Sequence, residues 1–431
     1  MNDSLGLINN NKLINSAGLS FNKILLRVAL FTIINGVLRK WLFTSGVVGN
    51  ILLLFQLLLP FSFLLKHRDL SLPIKQNIFK FYFIYLLISA FNPLNLTIFH
   101  GFLGIILHLG FWWLIFFYYE NRNLIDIRPL VPSMILFCFF EFIIGIIQYQ
   151  LPQDHILNKY AAIEQLGSNQ TVAMVGNSVR ITGTFSYISG YSSFLIFAVF
   201  FIWALIRLNY NKRVISFLLG GVIITSLMTG SRSTTMIVII IIFLIFISEF
   251  TFQTLSEFLR SLLIPFVLFL LISLSKGSIG VENIIENTYS NFDERRTNNA
   301  QSGEQKKRLV GDMEELFVDY RGKYPFFGVG LGSTYQGATA VFGTSDYVKE
   351  YGYYEGELPR IVLEAGFIIL IFRILLLIWL LSWLELNWQS KVICFLVFSY
   401  GIGIVFNIYN SIFLAIGLIF LDNIALHNRL R

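Results

Sequence analysis

Apolar residues fall along this chain in long runs, not in the two-residue alternation of strands. The runs occupy residues 24–42, 46–65, 77–92, 96–119, 130–150, 184–206, 214–229, 233–249, 260–275, 358–384, 390–407 and 409–426. A helix needs about 20 apolar residues to cross a hydrocarbon core of about 30 Å. The pattern therefore predicts an all-α polytopic membrane protein with about 12 transmembrane helices; the run at 260–275 is short for a full crossing. Two polar segments interrupt it, 151–183 and the much larger 276–357. The expected organisation is an N-terminal bundle of about nine helices over 1–275, a large, partly helical loop over 276–357, and C-terminal helices over 358–431.

Composition narrows the class further. Of 431 residues, 55% are apolar and 13% charged, against roughly a quarter charged in soluble domains. Soluble, disordered, fibrous and disulfide-stapled secreted readings are excluded. Cys138 and Cys394 sit inside apolar runs without metal-type spacing, and the five histidines form no HExxH or His/Cys cluster. No metal or cofactor is expected. The Asn-rich N-terminus lacks the features of a cleaved signal peptide, so the first apolar helix is expected to stay as an anchor.

The net charge of +7 contains no Lys/Arg block of the density that nucleic acid requires, so no nucleic-acid partner is expected. Much of it encodes orientation. Lys66-His67-Arg68, Lys75, Arg122, Arg128, Arg207, Lys212-Arg213, Arg260, Lys391, Arg429 and Arg431 fall on one set of connections. The positive-inside rule places those, and both termini, in the cytoplasm. Arg39-Lys40, Arg180 and Arg232 break the alternation by falling near the opposite face.

Those exceptions carry the candidate chemistry. Arg180 lies in VRITGTFSYISGYSSF, rich in hydroxyl and backbone donors; it either anchors a helix end at the headgroups or belongs to a polar site. Arg232 lies in the short turn LMTGSRSTTMIV. It is either a turn anchor or, with Ser231, Ser233 and Thr234, an anion clamp at a helix N-terminus. The return from the large loop reads Glu355-Gly-Glu357-Leu-Pro-Arg360-Ile-Val-Leu-Glu364-Ala-Gly366. Glu357 suits a helix start, Arg360 and Glu364 are spaced for an intrahelical pair, and Glu355 is placed as a mobile base. Lys306-Lys307-Arg308 and Arg321 offer contacts to an acidic ligand, or are neutralised on a solvated helix by Asp312, Glu314, Glu315 and Asp319. Gly328, Gly330 and Gly332 spell GxGxG without the strand–helix context of a dinucleotide site.

These motifs, taken together, resemble the polysaccharide polymerase and O-antigen ligase superfamily. The resemblance rests on the TGSRS turn, the Arg-x-x-Gly-Thr-Phe strip at 180–185, Pro-Phe-Phe-Gly-Val-Gly at 325–330, the helix start ending in Glu364-x-Gly366, and GVLRKWLF at 36–43. It covers roughly 170–370, with looser support toward the N-terminus. It implies a GT-C-like architecture with a large periplasmic loop in the bacterial inner membrane. It also implies a metal-independent glycosyltransferase using undecaprenyl-pyrophosphate-linked oligosaccharide as donor and acceptor, with a chain-length regulator as partner. Ligases of this group carry a histidine eleven residues ahead of the glycine; here that position is Glu355. The polymerase branch is the better match, with an O-antigen ligase as the alternative.

On that resemblance Arg180, Arg232, Arg308 and Arg360 hold pyrophosphate, and Glu355 first, Glu357 second, accepts the acceptor proton. Ser231, Ser233 and Glu364 line the substrate. Tyr187, Tyr191, Tyr335, Tyr353 and Tyr354 stack on sugars or form an interfacial belt. A transporter of lipid-linked glycan is the rival from another class. The sequence shows no internal repeat, and its ionisable candidates gather at one membrane face, which favours the enzyme.

Overall fold

A computed structural model describes residues 2–43, 45–65, 71–161, 172–175, 178–249, 325–351 and 356–429. The predicted span at 260–275, most of the 276–357 loop, and the candidates Arg308, Glu355, Tyr353 and Tyr354 lie outside them. The described residues form α1 (Asn2–Val37), α2 (Gly46–Leu58), α3 (Asn77–Ala90), α4 (Ile98–Asn121), α5 (Val131–Gln150), α6 (Ile188–Arg207), α7 (Lys212–Met228) and α8 (Arg232–Glu249). Beyond the large loop come α9 (Gln336–Phe342), α10 (Asp346–Tyr351), α11 (Glu357–Ala365), α12 (Ile368–Trp383), α13 (Trp388–Leu396) and α14 (Ile408–Arg429). A two-residue antiparallel ladder, β1 (Met174–Val175) on β2 (Ser178–Val179), is the one β element among them.

Among the described residues six stretches are long and apolar enough to cross a membrane: Gly18–Leu42, Ile98–Leu124, Arg128–Gln150, Ile188–Arg207, Arg232–Glu249 and Ile408–Asn428. Four shorter apolar helices accompany them, at Val47–Ser62, Asn77–Ala90, Ile368–Trp383 and Trp388–Ser399. The protein is a multi-pass α-helical membrane protein.

Four predicted runs are not single α-helices. The run at 46–65 tightens after α2 into a 3₁₀ segment, Leu59–Leu65, where Pro60 cannot donate its missing N–H. The run at 358–384 is divided at Gly366, whose φ of 71° is left-handed and where a Cβ would collide with Phe326 O. The run at 390–407 passes from α13 into a π-helical turn, Val397–Gly401, and then unwinds. Backbone groups freed in an apolar setting need protein partners. Asn410 Nδ2 donates to Gly403 O at 2.8 Å, and Ser411 Oγ to Ile404 O at 2.6 Å. The first helix also ends in a π-helical turn, Leu38–Leu42, which carries Arg39 and Lys40.

The chain groups into two compact units. The first comprises Met1–Leu72, Phe117–Asn291 and Ile412–Arg431. Its centre is α6, buried on nearly every side and packed on α7 and α8, while α7 also packs on α5. A cluster of rings fills it: Phe137 stands 5.1 Å from Phe194 and 6.1 Å from Phe413, and Phe197 5.7 Å from Phe413.

The second unit comprises Pro73–Phe116 and Phe292–Ser411. Here α12 packs on α3 and α11, with Trp379 stacked 3.8 Å from Phe116 and Phe116 4.8 Å from Phe79. The Gly-rich segment lies along the end of α11. Val329 N donates to Leu363 O at 2.8 Å and Gly330 N to Glu364 O at 3.0 Å, satisfying carbonyls that a helix end leaves open. Asn92 and Asn95 return hydrogen bonds to Gly328 O and Leu331 O. Gly328, Gly330 and Gly332 have φ of 73°, 107° and 75°, so the glycine spacing serves a left-handed path at close range. A Cβ on Gly332 would collide with His100 O. Gly332→Ala combines the left-handed penalty with overlap on backbone. It is expected to destabilise the protein by on the order of 2–4 kcal/mol, read as a lower thermal midpoint in detergent.

Candidate functional site

In the first unit the predicted polar strip is built into the protein interior. Residues Ile181 to Ser186 are all buried, although Ile181 and Phe185 are the only apolar members. Burying that much peptide requires partners for its N–H and C=O groups, and α5 supplies them from one face. Gln148 Oε1 accepts from Thr182 N at 3.0 Å and Gly183 N at 2.8 Å. Its Nε2 donates to Gly183 O at 2.8 Å and Leu157 O at 2.7 Å. Two helical turns earlier Glu141, fully buried, accepts from Thr184 N at 3.1 Å and Thr184 Oγ1 at 2.5 Å.

The π-helical turn approaches the same strip. Lys40, 1% exposed, donates to Thr182 Oγ1 at 2.8 Å and Gly183 O at 2.9 Å, and Arg39 Nη1 donates to Ser186 Oγ at 3.2 Å. Opposite charges thus grip adjacent residues: Lys40 holds 182–183 and Glu141 holds 184.

The structure brings the strip and the TGSRS turn together. Arg180, half-buried, donates from Nε to Thr229 O at 2.8 Å, and Tyr160 OH donates to Arg180 O at 3.3 Å. Burial pushes the Tyr160 phenol up to about 12, with Arg180 opposing the shift. Arg232 opens α8, half-buried. Ser231 caps that helix: its Oγ accepts from Thr234 N at 3.5 Å and from Thr234 Oγ1 at 2.9 Å, and lies 3.3 Å from Ser233 Oγ. Tyr187 is half-buried, its ring 5.7 Å from Tyr160. Tyr191 does not fit a sugar platform. It is fully buried, 5.4 Å from Phe194, with its hydroxyl on Glu141 O at 3.3 Å, so neither ring face is open.

In the second unit Glu364, 0% exposed, organises the Gly-rich segment. Its Oε2 accepts from Gly332 N at 2.9 Å and meets His108 Nε2 at 3.2 Å. Its Oε1 accepts from Thr334 N at 2.9 Å and Thr334 Oγ1 at 2.6 Å. Burial alone would raise this carboxyl; His108, Thr334 and Gly332 outweigh it and hold the group below the usual carboxylate range. Glu364 therefore faces inward, and its partner is His108, not Arg360 one turn earlier. Its expected place on the substrate gives way to a structural one.

Arg360 rests on what Glu364 fixes. Its Nη2 donates to Thr334 O at 2.9 Å and its Nε to Thr334 Oγ1 at 3.3 Å, and its guanidinium lies 3.8 Å from the centre of the Phe406 ring. Burial lowers its pKa against the pull of Glu364 and Glu357. Among the described residues Arg360 makes no ion pair, and Nη1 no hydrogen bond.

Glu357 is committed elsewhere: it pairs with Arg373 Nη1 at 2.5 Å and accepts from Val405 N at 2.7 Å. A carboxylate holding an arginine and an unwound backbone is not a mobile base, so its expected role as second base does not fit its geometry. Tyr335 is buried. Among the described residues no three His, Cys, Asp or Glu are grouped to hold a metal.

Sequence reasoning singled out Arg180, Arg232, Arg360, Glu357 and Glu364 but passed over Glu141, Gln148, His108, Arg373 and Thr334. Four of these lie inside apolar runs, where a costly ionisable or amide group signals a partner. Comparison with family models, curated proteins and solved structures returns no match.

Proposed function

We propose that this protein is an inner-membrane polysaccharide polymerase. It transfers a glycan from undecaprenyl pyrophosphate to a hydroxyl of a second lipid-linked repeat unit on the periplasmic face. The observation that carries the reading is Arg360: a half-buried guanidinium braced by Thr334 and Phe406, without an ion pair among the described residues. Such a planar fork matches phosphate oxygens bidentately. It sits in the helix start that, with the strip and the TGSRS turn, carries the family resemblance.

In the proposed reaction the bond between the anomeric carbon and the pyrophosphate oxygen breaks, and a bond from that carbon to the acceptor oxygen forms. The electron pair leaves on the pyrophosphate, where Arg360 stabilises the developing charge; Arg180 and Arg232 belong to the same class of donor. Glu355 takes the acceptor proton.

The test is reconstitution of the full-length protein into liposomes with purified lipid-linked repeat units. Chain growth without nucleotide is expected. Glycan transfer to a non-polyprenyl acceptor instead would make the protein a ligase, and vectorial movement without new glycosidic bonds would make it a transporter. Arg360→Lys keeps the charge but loses the fork. Turnover is expected to fall about 10–100-fold, beyond what any drop in the thermal midpoint from the lost Thr334 contacts accounts for; unchanged turnover would remove Arg360 from the site.

A further inference from the structure

A buried cation with no counter-charge among the described residues marks the first unit. Arg39 is 9% exposed, yet among the described residues its side chain makes one hydrogen bond, from Nη1 to the neutral Ser186 Oγ, and no ion pair. Its Nε is buried with no hydrogen-bond partner. Lys40, beside it, brings a second buried cation, spent on Thr182 and Gly183. The one buried carboxylate on this strip, Glu141, is occupied by Thr184. An unpaired charge is costly to hold out of water, and an ionisable group in a membrane segment signals a partner.

The surroundings say what that partner is. The first turn of α2 lies against Arg39: a Cβ added to Gly49 would stand 3.7 Å from Nε. That turn contains no acidic residue, and Ser45 makes no side-chain cap. The positive end of a helix and a guanidinium therefore share one place, an arrangement that an anion resolves. On the same stretch Leu42 is 65% exposed, Phe43 47% and Val47 57%. A buried cation bordered by exposed apolar side chains suits an anion carrying a hydrocarbon chain.

We infer that Arg39, Ser186 and the N-terminal turn of α2 form a binding site for the phosphate of a membrane lipid. Arg39 Nε and the remaining guanidinium N–H groups donate to the phosphate oxygens, and the acyl or prenyl chain lies over Leu42, Phe43 and Val47. The phosphate belongs either to a glycerophospholipid or to a polyprenyl phosphate. The site stands independently of the proposed transfer reaction, because it involves neither Arg360 nor any group placed in the chemistry.

The experiment is native mass spectrometry of the full-length protein titrated separately with phosphatidylglycerol, undecaprenyl phosphate and diacylglycerol. The wild type is expected to retain one equivalent of a phosphate-bearing lipid, and the tighter of the two identifies its source. Arg39→Gln is expected to weaken that binding at least tenfold and Arg39→Lys less, with diacylglycerol uptake the same in all three proteins. Equal binding of both phosphate lipids to wild type and Arg39→Gln would overturn the site. An equal loss of diacylglycerol would overturn it too, by showing a purely apolar surface. Should Arg39→Gln not fold, Ser186→Ala removes the hydroxyl that orients the guanidinium and is expected to weaken phosphate-lipid binding severalfold; no change there would count against the proposal. No sugar transfer is read, so a negative result leaves the polymerase reading standing.

Discussion

Glu364→Ala is expected to destabilise the protein by about 3–5 kcal/mol, the range for removing one member of a buried charged network. The side chain is 0% exposed and accepts from Gly332 N, Thr334 N, Thr334 Oγ1 and the His108 ring. Alanine leaves all four without an acceptor in a site that water does not reach, and each unmade hydrogen bond costs about 1–3 kcal/mol. Glu364→Gln keeps the volume and one acceptor oxygen, so its loss should be smaller, about 2 kcal/mol. Thermal unfolding in detergent separates the two, and equal midpoints would refute the network as a source of stability. The damage should also spread. Arg360 rests on Thr334 through two hydrogen bonds, so Glu364→Gln should lower turnover by more than its unfolded fraction accounts for.

The second large effect concerns the polar strip. Lys40→Met and Glu141→Leu each remove one of two opposite charges that hold neighbouring residues of the strip, leaving the other buried with its own hydrogen bonds but without the opposite charge nearby. Each single change is expected to cost about 3–5 kcal/mol. The double variant removes both charges together and should cost less than the sum of the singles, by a coupling of about 1–3 kcal/mol. A double-mutant cycle on unfolding midpoints measures this. Strict additivity would mean that the two ends hold the strip independently.

The helices were legible because membrane spans announce themselves by composition: the runs at 77–92, 96–119, 130–150 and 184–206 coincide with α3, α4, α5 and α6 to within a few residues. The breaks were not. GFIIL at 366–370 and GIGIVF at 401–406 are apolar throughout, and hydropathy does not register a change of φ or a carbonyl turned toward Asn410. The site was legible in part, through residues at the ends of runs. Arg180 and the TGSRS turn stood out as polar against their neighbours, and they do meet, through Arg180 Nε and Thr229 O. Partners inside the runs were hidden. Glu141 sits in FCFFEFIIG and His108 in IILHLG, single polar letters whose meaning depends on which segment, far along the chain, brings a donor to them. Glu357 and Glu364 were visible but misjudged, because spacing along one helix ranks local pairs above partners from distant segments such as Arg373 and His108.

The division at Gly366 and the unwinding after Gly401 also set a length. Helix α3 has 14 residues, α12 has 16, and α13 with its π-helical turn spans 388–401. At 1.5 Å per residue these reach about 21, 24 and 21 Å, short of the ~30 Å thickness of a typical hydrocarbon core. A bilayer meets short apolar helices by thinning, by letting flanking polar side chains extend toward water, or by drawing helices together. The lipid around the second unit is therefore expected to be compressed, and membrane thickness becomes a variable on which this protein's behaviour depends.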